Sequence, residues 1–505
     1  MKQSVEEALI SLGNFGTLQL ITTFIFSLYQ FIACVVAFSV SITLKTPPWL
    51  CSTDKCRALV AGTSDQNTVF CQLVPHDYAW MNRENIATEY SIFCSDAYLA
   101  ALAITYYFIG YAVGTTSLGV LADRYGRKRV TVPVLLLYTL ITGLVATSSS
   151  YTQFLILRGI SGMLHGGLQN VTHVLQAELI PPKYRNAANT AKEGMFGLGL
   201  SISSIMLFYI TSWRLVFVIL CALLATVAIV VATFLPESPY YHAGKGDMDS
   251  AMRSLQKIGK INKASLAQNT ILERPAKSHT DTTSESVLGV FSVSLKTKVG
   301  VVSLFYAFFT MALLLYCLSY HVAAVPGNVY TNSFLMGLTS VPAYYWLYQY
   351  GDKLGRKKCL LALYALTIAS LVVAWMDTRG TVLFSAVTIQ LLAFVTARSC
   401  MLGIASLMYL YTSELYPSSA RSGLIGISSM IARAGAILSS YVLVLDTYDP
   451  SLVYIICIVA GALAFLLLSR LPDTTDITLP QTFAECDAVF CGGARKEFVD
   501  VSRIA

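Results

Sequence analysis

Twelve apolar runs separated by polar turns constrain this chain more than any other feature it carries. They fall at 17–44, 97–121, 130–147, 152–179, 190–212, 215–235, 299–320, 329–350, 359–376, 381–412, 422–445 and 451–468. A spanning helix needs about 20 mostly apolar residues. Inside a bilayer the backbone must also satisfy its own N–H and C=O groups, so runs of this kind become helices. Composition agrees: 12% of the 505 residues are charged and 55% are hydrophobic, whereas soluble domains carry about 25% charged residues. Disordered, collagenous and disulfide-minidomain classes are excluded on the same ground. The net charge of +7 is spread over the turns, not gathered in one basic face, so no nucleic-acid partner is implied. The solvent for most of the surface is membrane lipid.

Three stretches are polar enough to lie outside the bilayer: 45–96, 236–298 and 472–505. The first run follows a polar start and lacks a cleavage site, so it reads as a retained helix. Arg124, Arg127, Lys128, Arg129, Lys183, Arg185, Lys353, Arg356, Lys357, Lys358 and Arg421 all fall in turns on the side of the N-terminus. The opposite turns carry almost no Lys or Arg, which places both termini in the cytoplasm and the segment 45–96 outside. Four of the twelve cysteines, Cys51, Cys56, Cys71 and Cys94, share that exterior segment. Two disulfides follow in an oxidising compartment, with three connectivities open. The single N-x-Ser/Thr triplet, at Asn170, lies within the fourth run, where no glycan is attached.

The halves repeat. Glu178-Leu-Ile-Pro-Pro-Lys-Tyr-Arg185 returns as Glu414-Leu-Tyr-Pro-Ser-Ser-Ala-Arg421, and Leu235-Pro-Glu returns at the same offset as Leu471-Pro-Asp. Gly119-Val-Leu-Ala-Asp-Arg-Tyr-Gly-Arg-Lys128 returns in shorter form as Gly351-Asp-Lys-Leu-Gly-Arg-Lys357. The expected architecture is an all-α membrane protein of twelve transmembrane helices in two six-helix bundles. Residues 1–235 form the N-terminal bundle, 236–298 a cytoplasmic linker, 299–471 the C-terminal bundle and 472–505 a cytoplasmic tail. Parallel repeats of this kind build transporters whose substrate lies between the halves.

Residues 119–128 resemble the loop signature of the major facilitator superfamily, and Arg158-Gly-Ile-Ser-Gly162 resembles its fourth-helix signature. Further segments are similar to the organic anion, organic cation and carnitine transporter family. They are Leu18-Gln19 after Gly13-Asn-Phe-Gly16, Ala87-Thr-Glu-Tyr90 before Cys94, Trp213-Arg214, Pro236-Glu-Ser-Pro239, Val341-Pro-Ala-Tyr344 and Tyr409-Leu-Tyr-Thr-Ser-Glu-Leu-Tyr-Pro417. Sugar porters share the segment 236–239 but usually lack such an exterior cysteine loop. This loop is short for the family and has no glycosylation site.

Charges within a bilayer are costly and mark functional candidates. Arg433 and Arg398 sit near the middles of two neighbouring C-terminal runs, neither of which has an Asp or Glu at comparable depth. His165 sits near the middle of the fourth run, and its protonated form attracts an anion. Lys192 and Glu193 fall at the cytoplasmic edge of the fifth run and carry no special reading. An Arg fork suits a carboxylate or sulfate. The resemblance implies that Arg433 matches the Arg of anion and carnitine carriers, where cation carriers have Asp, while Arg398 matches a position basic throughout. It also implies that Phe308, Tyr316, Tyr409 and Phe196 match aromatic positions of the substrate cavity. Tyr344 stands where some anion carriers have Lys, which removes one cation. The repeated loop charges Asp123, Arg124, Arg127, Glu178 and Arg185, with Asp352, Arg356, Glu414 and Arg421, read as ion-pair latches of a cytoplasmic gate.

No Walker loop is present, and no metal-ligand cluster or cofactor motif; Cys486 and Cys491 lack a second pair. The chain is expected to be no enzyme but a secondary transporter of small organic ions, preferably anions, by alternating access in the plasma membrane. A cation or carnitine-like zwitterion carrier is the alternative within that class, and a non-transporting receptor or scaffold the alternative outside it. Moving one negative charge inward against 100 mV costs about 2.3 kcal/mol, so accumulation of an anion needs a counter-ion or an exchange anion.

Overall fold

The computed structural model describes residues 2–47, 49–62, 70–74, 76–80, 84–266, 271–272, 293–322, 325, 327–350, 355–378, 386–417, 421–447, 449–474, 480 and 483–491. The N-terminal half contributes α1 (Thr17–Thr43), α2 (Tyr98–Tyr125), α3 (Arg127–Ala146), α4 (Tyr151–Leu179), α5 (Pro182–Tyr209) and α6 (Trp213–Phe234). Two short linker helices follow, α7 (Pro239–Gly244) and α8 (Met248–Asn262). The C-terminal half contributes α9 (Leu295–His321), α10 (Val329–Leu338) with α11 (Ser340–Tyr350), α12 (Arg356–Thr378), α13 (Ala386–Leu415), α14 (Arg421–Val444) and α15 (Pro450–Ser469). A last helix, α16, covers Phe483–Cys491. With α10 and α11 counted as one broken segment, the two bundles hold twelve spanning segments.

Turn chemistry sets the helix ends. Gly126, at φ +114°, closes α2 and opens α3 in one residue, and Glu237 then accepts from the N–H groups of Lys128 at 2.8 Å and Arg129 at 3.1 Å. The Pro236-Glu-Ser-Pro239 segment is thus the N-terminal cap of α3, a carboxylate on the positive end of a helix. Ser150, Ser294 and Asp449 cap α4, α9 and α15 with their side chains. The broken segment has a local cause: Pro342 donates no N–H and crowds the carbonyl of Leu338, so α10 stops there.

Nine helices among the described residues are long and apolar enough to cross a membrane. Falling short of that measure are α4, α5 and the α10–α11 segment. In α4 the reason is a stripe of Arg158, Ser161, His165, Thr172 and Gln176, which recurs at helical spacing and is buried, so its polarity faces protein and not lipid. The α2–α4 contact is backbone-close, since a Cβ on Gly114 would stand 1.7 Å from the carbonyl oxygen of Met163. Small residues of this kind let spanning helices approach where apolar bulk gains nothing over lipid.

One face of the molecule carries the segment between α1 and α2, here called the loop face; the linker helices α7 and α8 and the helix α16 lie on the other, here called the terminal face. In the loop, Trp49–Cys51 pairs antiparallel with Tyr78–Trp80, and disulfides join Cys51 to Cys56 and Cys71 to Cys94. Phe70 packs among Trp49, Tyr78, Trp80 and Phe93. Glu89 ties the loop to the bundle, accepting from the Trp213 indole at 2.8 Å and pairing with Arg214. On the terminal face Asn262 of α8 accepts from Leu18 N at 2.8 Å and donates to Gln19 Oε1 at 3.0 Å, docking the linker under α1.

Candidate functional site

The two halves meet along α2 against α14 and α5 against α10–α11. Thr105 and Ser440 share a hydrogen bond of 3.0 Å, and Ser201 donates to the Phe334 carbonyl at 2.8 Å. A Cβ on Gly337 would meet Ser201 N at 2.4 Å, so the glycine is what lets the two walls touch. Phe208 and Tyr330 pack at 5.6 Å nearer the loop face. Among the described residues, the hydrogen bonds and ring contacts between halves all lie between mid-height and the loop face. The seam is closed toward the disulfide loop.

At the deepest point of that seam stands Arg433. Its guanidinium lies 4.3 Å from the ring centroid of Tyr111 in the opposite half and donates to Tyr316 Oη at 3.2 Å; its Nε has no hydrogen-bond partner among the described residues. Tyr316 packs against Phe108 at 4.5 Å and Phe38 at 6.4 Å, both from the N-terminal half. Phe38 also touches Phe196 and Tyr320. Five of the residues singled out in the sequence therefore have distinct places. Arg433, Tyr316 and Phe196 border the seam. Phe308 is enclosed in the C-terminal half and packs against Tyr409, whose ring is 5.0 Å away and whose hydroxyl donates to Ser429.

Arg398 is differently employed. It is 2% exposed and donates to Ser319 Oγ at 3.1 Å, to the Met336 carbonyl at 2.8 Å and to Ser340 Oγ at 3.1 Å. The break between α10 and α11 is what releases the Met336 carbonyl for this bond. Tyr344 is buried on the same broken segment. His165 lies one layer behind the seam, inside the N-terminal half, with the rings of Tyr29, Tyr107, Tyr111 and Tyr138 around it. Its Nδ1 is hydrogen-bonded to Tyr107 Oη, and its Nε2 is without a partner among the described residues.

The repeated charges tie helices within each half. Arg127 pairs with Asp123 at 3.0 Å and Glu178 at 3.3 Å, and Arg356 pairs with Glu414 at 3.1 Å. Arg185 donates to the carbonyls of Ala177 and Ile180, and Arg421 to that of Tyr416, so the repeat gives each Arg the same task of closing the turn before its helix. Arg124 lies beside the Tyr125 ring, and Asp352 lies outside the described residues. Near the turn between α4 and α5, His173, Gln176, Arg185, Asn186 and Asn189 line a cavity of about 210 Å³.

Several residues at or behind the seam have places that the sequence does not assign to a site, Arg158 carrying only the fourth-helix signature there. Arg158 is 1% exposed, donates to the Val36 and Ala37 carbonyls at 3.0 and 3.4 Å, and stacks on Tyr107. Tyr107, Phe108 and Tyr111 recur at helical spacing on α2, a signal that could have been read. Lys192 and Glu193 require a correction. Helix α5 starts at Pro182, not near residue 190, so both lie about three turns in, where Lys192 is 0% exposed.

Comparison with known proteins adds to this geometry. Residues 58–482 match the family model described as sugar (and other) transporter. The chain is 27% identical to solute carrier family 22 member 15 of Xenopus tropicalis over 95% of itself and 90% of that protein. It is 26% identical to organic cation/carnitine transporter 4 of Arabidopsis thaliana over 93% and 88%. Among solved structures it resembles the xylose transporter XylE of E. coli, with a TM-score of 0.64, 15% identity, and coverage of 93% and 98%. Twelve segments in two bundles, a seam between them and these likenesses agree: the chain belongs to the sugar (and other) transporter family of the major facilitator superfamily, as a membrane transporter similar to the organic anion, organic cation and carnitine carriers.

Proposed function

We propose that this transporter moves small organic ions bearing a carboxylate or similar oxyanion, and that Arg433 reads that group. One observation carries the reading: a guanidinium at the seam whose described contacts are with neutral tyrosines, Tyr111 and Tyr316, and not with a carboxylate. Such a charge, half-buried and without a carboxylate beside it, gains most from an anion that fits its fork. The charge balance supports it, since the described spanning helices hold Arg158, Lys192, Arg398 and Arg433 away from their ends against the single carboxylate of Glu193. Tyr316, Phe196, Tyr409, Phe308 and Tyr344 supply the aromatic wall, Arg398 holds that wall and adds its field, and His165 supports Tyr111 from behind.

The basic turns support a cytoplasmic terminal face, and the membrane assigned in this reading is the plasma membrane. The closed loop face then corresponds to an inward-facing state, and Asp123, Arg124, Arg127, Glu178, Arg185, Arg356, Glu414 and Arg421 keep each half rigid as it rocks, with Asp352 assigned to the same set. The relatives whose names include carnitine and organic cation fit a carrier of small organic ions.

Uptake into proteoliposomes tests the assignment. Arg433→Asp reverses the local charge and should abolish uptake of carboxylates; Arg433→Lys keeps charge without the fork and should retain part of it. Parental carboxylate uptake by Arg433→Asp would remove Arg433 from the site.

A further inference from the structure

Where α3 and α6 reach the terminal face, they and α8 border an open cavity of about 660 Å³ that lies apart from the seam. Four cations line it, Lys128 and Arg129 from the first turn of α3 and Arg253 and Lys257 from α8. A spacing of four puts Arg253 and Lys257 on one face of α8, turned away from Ala251, Leu255 and Ile258, which pack into the N-terminal core. The one carboxylate in the lining, Glu237, is occupied by the N–H groups of Lys128 and Arg129. Lys128 Nζ donates to the Ala232 carbonyl at 2.8 Å and Arg253 to Ser250 Oγ at 2.8 Å. Among the described residues, none of the four cations forms an ion pair. Asp247, near them in the chain, lies outside the lining and caps α8, accepting from Ser250 N at 2.9 Å. The cavity therefore holds converging positive charge that the chain itself leaves unanswered.

We propose that this cavity binds the phosphorylated headgroup of an anionic phospholipid, held between Lys128 and Arg129 on α3 and Arg253 and Lys257 on α8. Four cations suit a headgroup that carries phosphomonoesters better than the single charge of a plain phosphodiester. Arg forks take phosphate oxygens two at a time, and a concave site lined by one sign of charge focuses its field on the ligand. The apolar part of the lining selects a lipid over a free phosphate. Val132 and Pro133 of α3 and Ala232 of α6 belong to the cavity wall. One turn deeper on these helices Leu136, Leu137 and Ile229 are exposed, so the wall runs on into the lipid-facing surface. A lipid with its headgroup in the cavity lays its chains along that surface without leaving the bilayer. Basic pockets at the ends of spanning helices hold phosphorylated headgroups in this way. Because α8 belongs to the linker between the halves, the bound lipid ties that linker to α3.

Ligand-induced thermal stabilisation of the full-length chain in detergent tests this with three probes: dioctanoyl phosphatidylinositol bisphosphate, dioctanoyl phosphatidylcholine and free inositol trisphosphate. The parent should bind the bisphosphate lipid at least about tenfold more tightly than phosphatidylcholine, and more tightly than the free headgroup, which has no chains to lay on α3 and α6. Arg253→Gln with Lys257→Gln should erase the preference over phosphatidylcholine while the midpoint without lipid stays at the parental value, since both side chains are exposed. Lys296→Gln with Lys298→Gln removes the same charge from the first turn of α9, outside the cavity, and should keep the preference. An equal loss in both double variants would reduce the effect to attraction by net charge and overturn the proposal. So would no preference in the parent, or an unchanged one in the Arg253 and Lys257 variant. Inositol trisphosphate binding as tightly as the bisphosphate lipid would make this a site for soluble phosphates and overturn the lipid assignment.

Discussion

Two arginines on neighbouring helices illustrate how differently a membrane interior can employ one side chain. Arg398 is enclosed and gives its hydrogens to Ser319, Met336 and Ser340, joining α13 to α9 and to the break between α10 and α11. Hydrogen bonds from charged donors contribute roughly 1.5–3 kcal/mol each, and truncating Arg398 removes all three at once. Arg433 has one hydrogen bond to a tyrosine and a ring beneath it. Arg398→Ala should therefore lower the thermal midpoint of the purified protein clearly more than Arg433→Ala, while Arg433→Ala should cost more in binding of a carboxylate. Equal midpoints for the two variants would show that Arg398 does not brace the broken segment.

Among the elements, α16 is the one that a polar tail concealed. Phe483, Cys486 and Val489 are buried, Cys486 Sγ approaches the Leu415 carbonyl at 3.3 Å, and Phe490 covers Gly300. Asp487 is the anchor: it accepts from Ser294 Oγ, from Thr297 Oγ1 at 2.5 Å and from Ser294 N at 3.3 Å at the start of α9. The hydrogen bonds from Ser294 and then Thr297 hold its carboxyl below the usual carboxylate range. A carboxyl lowered in the docked state stabilises docking above its free value, near 3.9, and loses that contribution as pH falls through the lowered one. Asp487→Asn should thus raise amide exchange in 483–491 at pH 7 with the exchange of α14 unchanged; equal exchange in the variant and parent would remove Asp487 as the anchor. The twelve spans, the repeat and the cysteine loop were legible in the sequence because lipid imposes length and apolarity. Glu193 was misplaced because a hydropathy run ends where polar residues begin, whereas α5 starts at Pro182 and turns those residues toward protein. Phe38 and Tyr111 are ordinary apolar-run residues, and only the meeting of α1 and α2 with α9 and α14 makes them neighbours of Tyr316 and Arg433.

For the molecule as a whole, the closed seam defines a motion. If the halves rock as rigid bodies, α2 and α14 must part at the loop face in every cycle, and the Thr105 to Ser440 hydrogen bond, 3.0 Å long, must break each time. The ion pairs at the terminal face, Arg127 with Glu178 and Arg356 with Glu414, each lie within one half and need not break in that motion. A covalent tie between positions 105 and 440 should consequently arrest transport without disturbing either bundle. In the double variant Thr105→Cys with Ser440→Cys, the side chains are close enough for disulfide geometry, and a mild oxidant should join them. Uptake should then fall to background and return on reduction, while each single variant transports through the same oxidation. Binding from the terminal face should survive, because the tie holds the state in which that side is accessible. Parental uptake by the fully cross-linked protein would mean that α2 and α14 stay together throughout the cycle, and that the path for the substrate opens elsewhere than along this seam.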